Sequence, residues 1–131
     1  MLTCDLLIKD TDVLIKSDEL REHVDIAVAD GKILAVGPGL ADSYEAGETM
    51  DGKNKLFMPG LIDTHLHFSG NLTDDDTDWV MQPLLEKQAV AVKQAYDCLT
   101  HGLTTVCEIG RFGIQIRDCI DKGVFKGPRV L

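Results

Sequence analysis

Pro59-Gly60-Leu61-Ile62-Asp63-Thr64-His65-Leu66-His67-Phe68 is a turn, a short apolar run and two histidines one residue apart. If Leu61 to Phe68 is a strand, side chains alternate faces, so Asp63, His65 and His67 share one side while Ile62, Thr64 and Leu66 share the other. Histidines two apart on a strand stand about 6.5–7 Å apart at Cα, close enough for both ring nitrogens to reach one metal ion at about 2.0–2.1 Å. The stretch reads as half of a metal site. The competing reading is that the two rings merely pack, since such pairs also arise in ordinary cores and surfaces.

Downstream, the pattern is strand, loop, helix, which signals parallel βα units. Ser69 to Asp78 is a polar loop carrying Asp74, Asp75, Asp76 and Asp78. A calcium loop of EF-hand type needs a glycine at its sixth position and a glutamate at its twelfth, and neither falls in place. Carboxylates feeding a helix N-terminus are the simpler reading. A helix is predicted from roughly Asp78 to His101, with Leu85, Ala89, Val92, Tyr96 and Leu99 along one face and Pro83 confined to its first turn. Gly102 caps its end, and His101 suits the negative pole of the dipole better than a ligand role. The β-branched run Leu103 to Ile109 is a second parallel strand, a shorter helix spans about Ile114 to Lys122 with Ile116, Cys119 and Ile120 inward, and Pro128 to Leu131 begins a third strand.

Upstream of Pro59, short β-rich segments from Asp5 to Ile15 and from Val24 to Val36 are broken by turns and by the charged stretch Lys16 to Glu22. Val24, Ile26 and Val28 fall at period two, the pattern of a strand with one buried face. Asp30-Gly31 between two such runs is a strong hairpin signal, because both central positions of a type I′ turn need positive φ. Ala41 to Gly47 reads as an exposed loop, and Thr49 to Asp51 and Leu56 to Met58 as two short strands. Residues 1–58 therefore form a small antiparallel β unit without a catalytic constellation.

The chain has 131 residues, a net charge of −9, 44% hydrophobic and 27% charged residues, an ordinary composition for a soluble domain. That acidity excludes an electrostatic footprint for nucleic acid or an anionic membrane. Asp5, Lys9, Asp10 and Asp12 interrupt the N-terminal apolar pattern, which fits neither a signal peptide nor a spanning helix, so a cytoplasmic protein is expected. Cys4, Cys98, Cys107 and Cys119 are widely spaced with no CxxC, so they read as reduced buried thiols rather than as disulfides or a thiolate zinc site.

The first-strand motif Pro59 to His67, preceded by Asp30-Gly31-Lys32-Ile33 and Val36-Gly37, strongly resembles the metal-dependent amidohydrolase superfamily. Gly102 to Gly110, Ile116-Arg117-Asp118 and Gly127 to Leu131 are similar to its prolidase-like dipeptidase and imidazolonepropionase-like branch. That branch often reads Arg-Asp where this chain has Cys107-Glu108, and an ion pair of Glu108 with Arg111 is the plainer expectation there. The resemblance implies a fold of α/β class: residues 1–58 as part of a small β-sandwich, and residues 59–131 as the first two βα units of a TIM-type (β/α) barrel, which takes ~250 residues when complete. It also implies that His65 and His67 bind a divalent metal, most simply zinc, as one or two ions. Asp63 is the candidate carboxylate behind them.

The implied reaction is hydrolysis of an amide or cyclic amide C–N bond in a small-molecule or small-peptide substrate. The remaining ligands and the acid-base group are expected beyond Leu131, so the chain by itself is expected to be inactive. The rival expectation is an assembly module that associates with itself or with a complementing chain to close the barrel.

Overall fold

The computed structural model describes residues 1–71 and 75–131, which divide into two compact units, Met1–Pro59 and Gly60–Leu131. In the first, β1 (Leu2–Lys16) and β2 (Glu19–Ala29) form a long antiparallel hairpin that β3 (Lys32–Gly37) extends. Asp30 and Gly31 sit at φ 51° and 68°, the left-handed pair that the tight turn between β2 and β3 requires. The charged stretch does not break the strands. It is the exposed end of the β1–β2 ladder, where Glu19 pairs with Lys16 at 3.4 Å and with Arg21 at 2.8 Å.

β4 (Tyr44–Asp51) and β5 (Leu56–Phe57) both run parallel to β1, so the sheet is mixed, ordered β3-β2-β1-β4 with β5 also on β1. The antiparallel unit expected from the sequence is corrected here. The length of β1 is the reason: Leu2 to Lys9 pair with β4, and Asp12 and Val13 pair with β5. The expected loop at Ala41 to Gly47 is likewise replaced by a 3-10 turn at Leu40–Asp42 and the start of β4. Tyr44 and Ala46 gain cover there by packing on Cys4, Leu7 and Ala27. The Val24 to Ala27 part of β2 is consequently buried on both faces, with Val24 and Ile26 joining Ile8 and Val13 on the other, while Leu20 to His23 stay exposed. Over that second cluster lies an apolar hollow of about 460 Å³, lined by Ile8, Val13, Ile26, Val36 and Phe57 among others.

Asp10 and His23 take positive φ, 54° and 53°, where the β1–β2 register shifts. Left-handed backbone costs a non-glycine residue roughly 1–2 kcal/mol, and a polar cluster offsets it. Asp25 Oδ1 accepts from the Asp10 N–H at 3.0 Å, Asp12 Oδ1 accepts from the His23 N–H at 3.2 Å, and His23 Nδ1 lies 2.8 Å from Asp10 Oδ1. The hydrogen bond to Asp10, then its charge, raises the His23 pKa above the ordinary value. A raised folded-state pKa means this link stabilises fully below the unfolded value of about 6.5 and is lost as pH climbs through the folded one. An NMR titration of His23 is expected to give a midpoint above 6.5 that falls back in Asp10→Asn; identical midpoints in the two proteins would show that Asp10 is not the cause.

In the second unit, β6 (Leu61–Leu66), β7 (Leu103–Glu108) and β8 (Arg129–Val130) are parallel neighbours in that order. Helices α2 (Leu84–Thr100) and α3 (Gly113–Asp121) connect them, the βα grammar expected. The single helix predicted from Asp78 to His101 is instead two, α1 (Asp76–Met81) and α2. Pro83 explains the break, because it lacks an N–H and forces Gln82 into extended backbone at ψ 133°. Asp75 caps α1, its Oδ1 accepting from the Thr77 N–H at 2.7 Å, and those backbone bonds lower its pKa. Asp74, the first of the acidic run, lies outside the described residues.

The inward stripe of α2 is also different. Lys87, Ala91 and Ala95 are its buried residues, whereas Leu85 is 77% exposed and Tyr96 50% exposed. Small side chains let the helix approach the sheet closely, and Ala91 and Ala95 join Phe68, Val106, Phe112, Ile116 and Val130 in one core. At the helix end His101 Nδ1 lies 2.7 Å from the Asp97 carbonyl and Gly102 sits at φ 89°, as the capping pattern predicted. All four cysteines are free. Among the described residues no helix is long and apolar enough to cross a membrane.

Candidate metal centre

β6 delivers His65 within the strand and His67 immediately after it. The neighbours Leu66 and Phe68 both turn into the core, Phe68 completely, while the two histidines remain exposed. From Leu66 to Phe68 this is the alternation of extended backbone, two apolar side chains anchoring the segment on either side of the His67 imidazole, whereas earlier in the strand Ile62 and Thr64 are exposed and Asp63 is half-buried. Their ring centres are 5.2 Å apart at an interplanar angle of 75°.

Two imidazoles on one tetrahedral ion, each at about 2.0–2.1 Å from nitrogen to metal, place their ring centres about 5 Å apart. The donor chemistry and the spacing therefore fit a borderline-soft divalent ion. Such a pair would supply two of the usual four positions. Among the described residues no group of three or more His, Cys, Asp or Glu side chains is placed to hold a metal ion.

Asp63 is half-buried, and its Oδ1 accepts a hydrogen bond from the His65 backbone N–H at 2.9 Å. Its hold on His65 thus runs through the main chain rather than through the ring. On the helix side of the strand, burial pushes the Cys98 thiol pKa up, with the Asp63 and Asp97 charges adding to it. Cys98 is accordingly a neutral thiol at pH 7, suited to packing rather than to nucleophilic or ligand chemistry.

Glu108, at the carboxyl end of β7, does not pair with Arg111 as the sequence led us to expect. Its Oε1 accepts from the backbone N–H groups of Phe68 and Gly110, both at 2.9 Å, and the Arg111 guanidinium lies 5.7 Å from the centre of the Phe112 ring instead. Two directed backbone donors satisfy the carboxylate better than one flexible exposed cation. The contact with Phe68 was invisible in the sequence because the residues are 40 positions apart. The only local trace is the pair of glycines that follow, Gly110 and Gly113.

A β-rich unit leading into parallel βα units, with paired histidines at the carboxyl end of the first parallel strand, defines a member of the metal-dependent amidohydrolase superfamily. The chain belongs to the amidohydrolase family, whose model matches residues 56–131. It is 40% identical over 68 residues to an allantoinase of Escherichia coli O1:K1 / APEC, a match covering 52% of this chain and 14% of that protein. A Xaa-Pro dipeptidase crystal structure with bound methionine in the active site superposes with a TM-score of 0.80 at 26% identity, covering 96% of this chain and 32% of the other. A Xanthomonas campestris adenosine deaminase with bound zinc gives a TM-score of 0.74 at 25% identity, over 99% of this chain and 34% of that one. The chain therefore spans about a seventh of the allantoinase's length and about a third of each of these structures.

Proposed function

We propose that this chain forms the opening portion of a metal-dependent amidohydrolase that cleaves an amide or cyclic amide C–N bond in a small, peptide-like substrate. The observation that carries the proposal is the His65–His67 pair, with ring centres 5.2 Å apart at the carboxyl end of the first parallel strand, the face on which barrel enzymes hold their chemistry. The zinc-bound adenosine deaminase and the dipeptidase, both of the same fold, support zinc as the ion and an amide as the target.

In this reading His65 and His67 each give one ring nitrogen to the ion, Asp63 braces the His65 backbone, and Phe68 anchors the strand end in the core. A divalent ion held there supplies a bound water acidified to a pKa of about 7 and polarises the scissile carbonyl. The acid-base residue lies outside this chain, which alone is inactive and holds metal weakly. The first unit is one sheet of a β-sandwich, and its open apolar hollow is the face that a second sheet covers.

The assembly reading keeps one observation in its favour. β6 and β8 are the outer strands of their sheet, and Leu61, Ile62 and Leu131 on them or beside them are 49%, 67% and 60% exposed. Unpaired edges of this kind invite pairing with another chain. Light scattering on the eluting protein separates the readings, since self-assembly requires a mass above that of one chain.

Hydrolysis is tested in the longest polypeptide that the reading frame encodes, with a panel of dipeptides and cyclic amides. His65→Ala and His67→Ala are each expected to lower turnover and bound zinc by about 100-fold or more, beyond the 10–100-fold typical of losing a supporting partner. Unchanged hydrolysis and metal content would leave the two rings as packing residues and refute the proposal.

A further inference from the structure

We infer that Glu108 is a positioning residue for His67, an inference that rests on His67 being a metal ligand. The ordinary β6–β7 ladder ends at Leu66, whose carbonyl accepts from the Ile109 N–H at 3.1 Å. Two residues further on, past the end of β6, the Phe68 N–H donates to the Glu108 side chain instead, reaching Oε1 at 2.9 Å. His67 therefore sits between two main-chain ties to the end of β7, one from Leu66 and one from Phe68. The same Oε1 receives the Gly110 N–H at 2.9 Å. One carboxylate thus fastens the segment that carries His67 to the turn that leads into α3.

The surrounding sequence is cleared for that carboxylate. A Cβ at Gly113 would lie 1.9 Å from Glu108 Oε2, and a Cβ at Gly110 would lie 2.5 Å from Oε1 and 3.1 Å from His67 Nδ1. Glycine at both positions is what lets the carboxylate and the His67 ring occupy neighbouring space. The carboxylate also lies against the first residue of α3, where negative charge suits the helix dipole. Without the tie, the strand end at His67 would rest on the Leu66 bond and the burial of Phe68. An imidazole at the frayed end of a strand pays more ordering entropy when it binds an ion.

The test is a zinc titration of the chain followed by the His65 and His67 ring signals in NMR, on wild type, Glu108→Ala, Glu108→Asp and Glu108→Gln, below the melting temperature of each. Glutamine keeps an acceptor oxygen at the right reach, whereas aspartate keeps the charge and loses the reach. Alanine and aspartate are expected to weaken zinc binding about 10-fold and to speed exchange of the Phe68 amide. Glutamine is expected to stay within about threefold of wild type, since a positioned acceptor is what matters. Wild-type affinity in the alanine and aspartate variants would overturn the inference, and so would a glutamine variant as weak as alanine, which would make charge the cause. If Glu108→Ala does not fold, the aspartate and glutamine pair decides. A wild-type chain in which zinc moves neither ring would overturn the metal reading itself, and this inference with it.

Discussion

Phe68→Ala is expected to lower the unfolding free energy of the second unit by about 3–5 kcal/mol. Phe68 is fully buried, and its core neighbours Ala91, Ala95, Val106, Ile116 and Val130 come from α2, β7, α3 and β8. Removing the ring would take contacts from four elements at once, the situation in which large-to-small substitutions cost most. Trp79 is the sole tryptophan and belongs to the second unit, so its fluorescence in urea reports this transition directly. The midpoint is expected to fall with the slope unchanged. A shift worth less than about 1 kcal/mol would mean that this aromatic ring is not the keystone of the core that its burial indicates.

His65→Ala or His67→Ala is expected to abolish the zinc response of the chain while leaving its fold intact. Both rings are exposed, so truncating either opens no cavity. With two donors the chain falls well short of a closed structural site, which is worth about 10–16 kcal/mol. Losing one donor leaves a single imidazole no better than any surface histidine. His23 and His101 are internal controls, since one is engaged by Asp10 and the other by the Asp97 carbonyl. Zinc retained at full strength in either variant would assign the ion to other groups.

The parts of this structure that were legible in the sequence are those set by neighbours close along the chain. The histidine pair, the Asp30-Gly31 turn, the Gly102 cap and the order of βα units depend on spacing and backbone preference over a few residues. What escaped depends on contacts made later. Nothing local in Tyr44 to Gly47 distinguishes the start of a strand that returns parallel to β1 from a loop, because the cover that stabilises it comes from Cys4, Leu7 and Ala27.

The inward face of α2 was misjudged for a related reason. Large apolar residues mark a core by hydrophobicity, but close helix–sheet approach is governed by size, and Ala91 and Ala95 won the contact while Leu85 stayed outside. The break at Pro83 was missed, although its cause is local: the missing N–H and the effect on Gln82 are intrinsic to the residue, and reading Pro83 as a first-turn proline overlooked the helix that ends before it. At the candidate site the two neighbouring histidines were legible and the contact behind them was not, because Glu108 reaches Phe68 only after β6 and β7 have paired.

The central claim, that His65 and His67 together hold one divalent ion, is tested most directly by titrating zinc into the chain while following the ring signals of all four histidines. His65 and His67 are expected to shift together along one binding curve, ahead of His23 and His101, and each is expected to lose its response when the other is replaced by alanine. Independent curves for the two rings, or responses no earlier than those of His23 and His101, would contradict it.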